Sequence, residues 1–142
     1  MPEVSFYLLS TQSIQERFLY SCRLIEKAYR CEQFCYVYTD TQQQSQQLDN
    51  QLWSFRPLSF IPHQIYDGTP PDYQKTVLIG TQSAPENWNK IIINLSSKYL
   101  DDLKHTDRIL EIIDSNEDIK QAGRLRYRQY QQAGLKITTH NV

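Results

Sequence analysis

Short apolar runs recur along this chain, and they limit its possible folds more than any other feature. They are VSFYLL, FCYVYT, VLIG, KIIINL and RILEII, at residues 4–9, 34–39, 77–80, 90–95 and 108–113. Because the runs are rich in β-branched and aromatic residues, each of them predicts a strand. The first run does not alternate apolar with polar residues, which is typical of a strand buried on both faces of a sheet.

Three longer segments have helical patterns. Apolar residues recur at helical spacing from 14 to about 30, the glutamine-rich segment after the second strand has no helix breaker up to Trp53, and a closing helix should end at Gly134. Segment 56–74 is interpreted as a loop, and segment 96–104 could hold one or two helical turns. Helix caps are predicted at the pair Ser13 and Glu16, at Asp40 or Thr41, and at the pair Ser115 and Asp118.

The order of these elements indicates the fold class. Strand, helix, strand, helix, further strands and a closing helix form the order of an open α/β sheet. At 142 residues the chain has the size of one domain, and no internal repeat or linker divides it. We therefore predict a single α/β domain spanning residues 1–142.

An open α/β sheet invites a nucleotide-binding interpretation, which the first turn argues against. The sequence LLSTQSIQE after the first strand contains no glycine, so its backbone amides could not easily close around a pyrophosphate. Asp40 follows the second strand, where dinucleotide enzymes place a ribose-binding acid. Without the loop, we interpret Asp40 as a helix cap. No cofactor is predicted.

Metal and hydrolase chemistry are not indicated either. The three histidines are scattered, with no HExxH motif, and the chain has no GxSxG motif. The three cysteines have no zinc-ligand spacing and are predicted to be free thiols in a reducing compartment. We find no signal peptide and no membrane span. The expectation is a cytoplasmic protein without enzymatic activity.

The closing helix carries a basic stripe in a chain whose formal net charge is only -1. Lys120, Arg124 and Arg128 lie four residues apart beside Tyr127, so a helix would align them along one edge. No acidic residue follows Asp118 to balance them. The stripe could be an ordinary solvated face. It would also suit an acidic and hydrophobic ligand, such as a peptide tail, or single-stranded nucleic acid stacked on the tyrosine.

The same helix has a second arc that should face the sheet. Arg126 falls inside this arc, which predicts a partly buried guanidinium paired with a carboxylate or with carbonyls. Gly123 lies in mid-helix, where close packing would be a reason to keep it. The apolar and small residues of the arc are Ile119, Ala122, Gly123, Tyr130 and Ala133.

Another candidate surface is the segment LWSFRPLSFIPH. It places Trp53, Phe55, Phe60 and Ile61 close together around prolines. These side chains could close over the core. Exposed aromatics in a proline-bracketed loop are also typical anchors of protein contacts, and both interpretations stay open for Trp53 and Phe60.

Several of these motifs, taken together, resemble a known family. FYLL near the start, LW followed by SFIPH, IIINL, and IKQAGRLRYRQYQQAGL near the end occur in the order found in the chi subunit of bacterial DNA polymerase III holoenzyme. The resemblance covers nearly the whole chain. It implies a Rossmann-like three-layer fold with a mostly parallel sheet, no nucleotide-binding loop and no catalytic residues.

The resemblance also implies an adaptor with two partners. One is the psi subunit, which connects chi to the clamp loader, and the other is the acidic C-terminal tail of single-stranded DNA-binding protein. A repair helicase is implied at the psi-side surface, and neither direct nucleic-acid binding nor a membrane is expected. Carried over by motif, the tail site comprises Lys120, Arg124, Tyr127, Arg128 and, beneath them, Ile113. The psi-facing motif comprises Trp53, Phe60, Pro62 and His63. The glutamine-rich second helix and Leu125 depart from the family pattern.

Overall fold

The computed structural model describes residues 2–55, 60–100 and 102–142. Seven strands and three helices lie in these ranges: β1 Glu3–Leu8, α1 Ile14–Arg30, β2 Tyr36–Tyr38, α2 Gln42–Phe55, β3 His63–Ile65, β4 Val77–Gly80, β5 Ile91–Asn94, β6 Arg108–Ile113, α3 Glu117–Gln132 and β7 Lys136–Asn141.

The strands form one sheet, in the order β3-β4-β2-β5-β6-β1-β7. Every adjacent pair is parallel. Parallel neighbours need crossover connections, so the helices pack on the faces of the sheet and create three layers. The predicted α/β class and Rossmann-like three-layer architecture are therefore confirmed.

Burial explains why the central strands contain so few polar residues. Every residue of β4 and β5 is buried. One apolar cluster fills the space between the sheet and the first two helices, a second lies under α3, and a third lies around Trp88 and Tyr36. Because both faces of the sheet are covered, continuous apolar runs are stable there. The five strands predicted from such runs are all present.

Two strands were not predicted. β3 lies inside the segment interpreted as a loop, of which residues 56–59 fall outside the described ranges. β7 follows the closing helix and is mostly exposed. Both are edge strands, so they bury little apolar surface and leave a weak pattern in the sequence. The helical turns suggested for segment 96–104 are not found in its described residues.

The helix ends agree with the sequence at some positions and not at others. Ser13 caps α1 by accepting a hydrogen bond from the Glu16 amide at 3.3 Å, as predicted. The cap of α3 is Asn116, so the prediction of Ser115 and Asp118 is wrong by one position. Gly134 ends the helix with φ +80°, as expected. Ala133 is exposed because it lies beyond the last helical turn, and its predicted contact with the sheet is wrong.

All three cysteines are free thiols, as predicted, and burial raises the pKa of both Cys22 and Cys35 to about 12. In the described part of the chain, no helix combines the length and apolar character that crossing a membrane requires.

Candidate functional site

The crevice at the carboxyl ends of the strands, where open α/β sheets usually bind ligands, is bridged by the protein's own groups. The Asp40 carboxylate accepts hydrogen bonds from the Ser97 amide at 3.0 and 3.1 Å and from its hydroxyl at 3.1 Å. These bonds join the ends of β2 and β5. Asp40 is therefore not the predicted cap of α2; the Thr41 hydroxyl accepts from the Gln44 amide at 3.1 Å instead.

Arg17 bridges the carboxyl ends of β5 and the next strand, β6. Its guanidinium is buried and donates to the carbonyls of Ile112 at 2.8 Å and Leu95 at 3.3 Å. Burial lowers the pKa of Arg17, while the carboxylates of Asp114 and Glu111 oppose that shift. Among residues 2–55, 60–100 and 102–142, no group of three His, Cys, Asp or Glu side chains could hold a metal ion.

A buried ionic cluster fixes the position of α3 against the sheet. Arg126 donates to Glu111 through Nε at 3.1 Å and through Nη2 at 2.9 Å, and neither side chain is more than 3 % exposed. The Tyr130 hydroxyl and the Asn94 amide group also donate to the Glu111 carboxylate, at 2.8 and 2.9 Å. Burial raises the pKa of Tyr130, and the negative charge of Glu111 raises it further. The predicted pairing of Arg126 is confirmed, and the side chain is more deeply buried than expected.

The same cluster determines which edge of α3 meets solvent. Arg126 and Tyr130 point toward β5 and β6, because their partners Asn94 and Glu111 lie on those strands. The edge that carries the basic stripe is therefore turned the other way, toward β1 and β7.

Gly123 allows α3 to approach the sheet closely. A Cβ atom at this position would lie 2.8 Å from Cδ1 of Ile113 and 3.3 Å from its Cγ1. Those distances are shorter than ordinary van der Waals contact. The glycine therefore leaves room for Ile113, whose side chain forms part of the floor beside the helix.

Between α3 and the sheet lies a pocket of about 430 Å³. It contains all five residues assigned by resemblance to the tail site, together with Gly123 and three residues that the sequence did not indicate. The lining residues are Phe6, Leu8, Ile113, Lys120, Gly123, Arg124, Tyr127, Arg128 and Thr139. The apolar side chains come from the ends of β1 and β6, whereas the cations come from α3.

Tyr127 connects the floor of the pocket with its charged rim. Its ring packs against Phe6 with a centroid separation of 5.3 Å, and the residue is 36 % exposed. Arg124 and Arg128 are exposed and Lys120 is half-buried. Arg124 Nη1 lies 3.9 Å from Glu117 Oε1, but both side chains are largely exposed, so this pair contributes little. No acidic residue is found among the described residues that line the pocket.

The second candidate surface is an aromatic patch formed by Trp53, Phe60 and His63. The rings of Trp53 and Phe60 lie 4.9 Å apart, and the two residues are 58 % and 55 % exposed. Neither of them closes over the core, which removes that alternative. Phe55 and Ile61 pack against the core instead.

His63 and Pro62 support this aromatic patch from below. The His63 ring lies 5.2 Å from Trp53, its Nδ1 is 2.7 Å from the Ile61 carbonyl, and its Nε2 is 3.4 Å from Asp49 Oδ1. The Pro62 carbonyl accepts from the Val77 amide at 2.9 Å, directly before the β3–β4 ladder begins. Pro62 therefore shapes the patch mainly through the backbone.

The two surfaces lie at opposite edges of the sheet. The aromatic patch adjoins β3, the first strand in the order, whereas the pocket adjoins β1 and β7, the last two. The protein is thus an α/β domain whose usual ligand crevice is bridged and whose exposed aromatic and basic groups form two separate surfaces.

Comparison with known proteins identifies the family. The model of the family described as "DNA polymerase III chi subunit, HolC" matches residues 1–138. The chain belongs to this family and is a component of the DNA replication machinery.

Relatives in three bacteria are similar over nearly their whole length. The chain is 30% identical to DNA polymerase III subunit chi of Pseudomonas aeruginosa, covering 100% of this chain and 98% of the relative. It is 23% identical to subunit chi of Escherichia coli, with coverage of 98% and 97%, and 23% identical to that of Haemophilus influenzae, with coverage of 96% and 95%.

Proposed function

We propose that this chi-family protein is a non-catalytic, cytoplasmic adaptor that binds the acidic C-terminal tail of single-stranded DNA-binding protein in the pocket beside α3. The observation that supports this most directly is the pocket's composition. An apolar floor of Phe6, Ile113 and Tyr127 lies within a rim of cations. A tail that ends in an apolar residue with a free carboxylate presents the complementary groups.

The binding mechanism involves no bond chemistry. The terminal side chain is buried against the floor, the terminal carboxylate is held by the guanidinium groups of Arg124 and Arg128, and upstream acidic residues follow the remaining basic edge. Exposed ion pairs contribute little individually and weaken with salt, so the buried apolar contact sets specificity and the cations mainly raise the association rate. An affinity of micromolar order, about 8 kcal/mol, is expected for one tail. Several tails on one oligomer would bind more firmly.

The aromatic patch is the proposed contact with the psi subunit and, through it, with the clamp loader. Large exposed aromatic side chains are the residues that most often carry binding energy at protein interfaces. Because six strand spacings separate β3 from β7, the two surfaces lie about 30 Å apart. That separation allows psi and a tail to bind together, whereas a helicase bound at the patch would compete with psi.

Replacing Arg124 by Ala tests the tail site. Titration of a labelled acidic peptide ending in Phe should show affinity reduced by about fivefold to tenfold at low salt, with a smaller difference at high salt, because one charge-assisted contact is lost. The matched control is Arg30→Ala, which removes an exposed arginine that pairs with Glu26 on α1. A peptide with an amidated C-terminus should bind to wild type about as weakly as the free-acid peptide binds to Arg124→Ala. Equal affinity of wild type and Arg124→Ala would contradict the proposal.

Direct binding of single-stranded nucleic acid is the competing function. Stacking platforms combine Arg with an aromatic ring, as α3 does. Tyr127, however, packs against Phe6 and lines a concave pocket rather than a flat surface. Retention of an oligonucleotide by the isolated protein, with a steep salt dependence, would favour this alternative.

Gly123→Ala should change the shape of the pocket and the affinity for the tail while changing the stability of the fold little. The new methyl group would push Ile113 toward the pocket, so we expect the affinity for the tail peptide to fall severalfold. The free energy of unfolding should change by less than about 1 kcal/mol, because the higher helix propensity of alanine offsets the crowding. Peptide titration and urea denaturation measure the two effects. Unchanged affinity would mean that Ile113 is not part of the bound surface.

A further inference from the structure

The outer edge of β7 is the feature from which we infer how the rest of the tail binds. β7 is the last strand of the sheet and pairs with β1 on its inner side. Within the described residues, no strand pairs with its outer side. Five of its six residues are exposed. Unpaired backbone groups on such an edge can accept an added strand.

The direction of the backbone groups follows from one hydrogen bond. The Val142 amide donates to the Leu8 carbonyl at 3.0 Å, so it points inward toward β1. Backbone groups alternate along a strand, which directs those of His140 and Thr138 inward and those of Thr139 and Ile137 outward. Thr139 is opposite Phe6 in the register, and both residues line the pocket. Some of the free backbone groups therefore lie at the rim of the pocket.

We infer that the acidic segment preceding the tail's last residue pairs with Thr139 and Ile137 as an additional strand of the sheet. This inference rests on the proposed function, because the pocket must hold the tail's end. Leu8 and Ile113, which line the pocket, are the last residues of β1 and β6. A peptide that ends there and passes along β7 runs in the same direction as β7, so the added strand is parallel.

Charge favours this path over the other way out of the pocket. A neighbouring cavity toward the carboxyl ends of the strands is lined by Lys120 and by the buried carboxylate of Asp114, so the two charges offset each other and an acidic chain gains little there. Along β7, the nearby cations of α3 are Arg124 and Arg128. At the start of β7, Lys136 Nζ lies 3.7 Å from Glu3 Oε1, and both side chains are exposed, so the net charge there is small. Alternate acidic side chains of the added strand would face α3.

A scan of backbone N-methylation on the peptide tests the pairing with the unmodified protein. In a strand, only alternate amides point toward β7, so methylation at alternate upstream positions should weaken binding by about fivefold to tenfold. Methylation at the intervening positions should have less than about a twofold effect. A uniform effect, or none, would overturn the inference.

Ile137→Pro tests the same contact from the protein side, at a residue that does not line the pocket. Proline removes an outward amide without breaking a bond to β1, and edge strands tolerate it at such positions. A peptide of about ten residues should bind about fivefold more weakly to this variant, whereas one of about three residues should bind as to wild type. Ile137→Ala, which keeps the amide and removes the same side-chain packing, should bind both peptides normally, and circular dichroism should show the same fold for all variants.

The two peptides distinguish the possible failures. If neither peptide binds wild type, the proposed function itself is wrong. If both bind and Ile137→Pro weakens neither, the tail binds in the pocket without adding a strand. If the proline variant weakens both peptides equally, the substitution has altered the pocket, and strand pairing is likewise not supported.

Discussion

Glu111→Ala should lower the free energy of unfolding by about 3–5 kcal/mol, the largest stability change that we predict for this protein. The carboxylate is completely buried and is the hydrogen-bond partner of Arg126, Tyr130 and Asn94. Its removal leaves a guanidinium in the interior without its counter-charge. A loss of this size is a large fraction of the stability of a typical domain. Urea denaturation of wild type and variant measures it.

Two control variants separate the buried charge from other causes. The double variant Glu111→Leu/Arg126→Leu removes both charges and should recover part of the loss, since apolar residues often replace a buried ion pair without cost, whereas the Tyr130 hydroxyl still lacks its acceptor. Glu117→Ala removes the exposed partner of Arg124 and should change the free energy by less than about 0.5 kcal/mol. If Glu111→Ala also stays within that range, the cluster does not hold α3 in place.

Phe60→Ala should abolish co-purification with psi and leave tail binding unchanged. Phe60 is largely exposed and contacts Trp53 and His63 rather than the core, so its removal should not affect folding. An aromatic anchor at the centre of an interface commonly contributes at least about 2 kcal/mol, roughly a thirtyfold change in affinity. Pull-down and titration with purified psi measure the effect.

Tyr73→Ala is the matched control for this prediction. Tyr73 is 58 % exposed, like Trp53, but it lies outside the aromatic patch. Its replacement should leave the affinity for psi unchanged. Loss of both psi and tail binding in Phe60→Ala would instead indicate unfolding, and full retention of psi would remove the patch from the proposed interface.

A strand could be predicted from the sequence when both of its faces are buried in the sheet. The central strands are covered on both faces, so their sequences are continuous apolar runs that can be recognised without a structure. β3 and β7 are edge strands, and their mixed composition resembles that of a loop. Asn116 was not predicted as the cap of α3, because Ser115 and Asp118 beside it also carry side-chain oxygens that can accept from helix amides.

Some residues of the candidate site could likewise be predicted from the sequence, and others could not. The basic stripe follows from helical spacing alone, and the pairing of Arg126 follows from its place in an apolar arc. Its partner Glu111 was also within reach, because it is an acidic residue inside the apolar run RILEII and had to be paired there. Phe6, Leu8 and Thr139 could not be assigned, since the face of the sheet that α3 covers depends on crossover topology that periodicity does not reveal.

The placement of the two surfaces at opposite edges has a mechanical consequence. Tension between two bound partners would act across the sheet, along the hydrogen bonds that join the strands, and would tend to peel strands apart rather than slide them. That load would pass through the β3–β4, β4–β2 and β2–β5 ladders, each of which pairs only three residues of one strand with three of the next. These three short ladders are where the sheet would yield first.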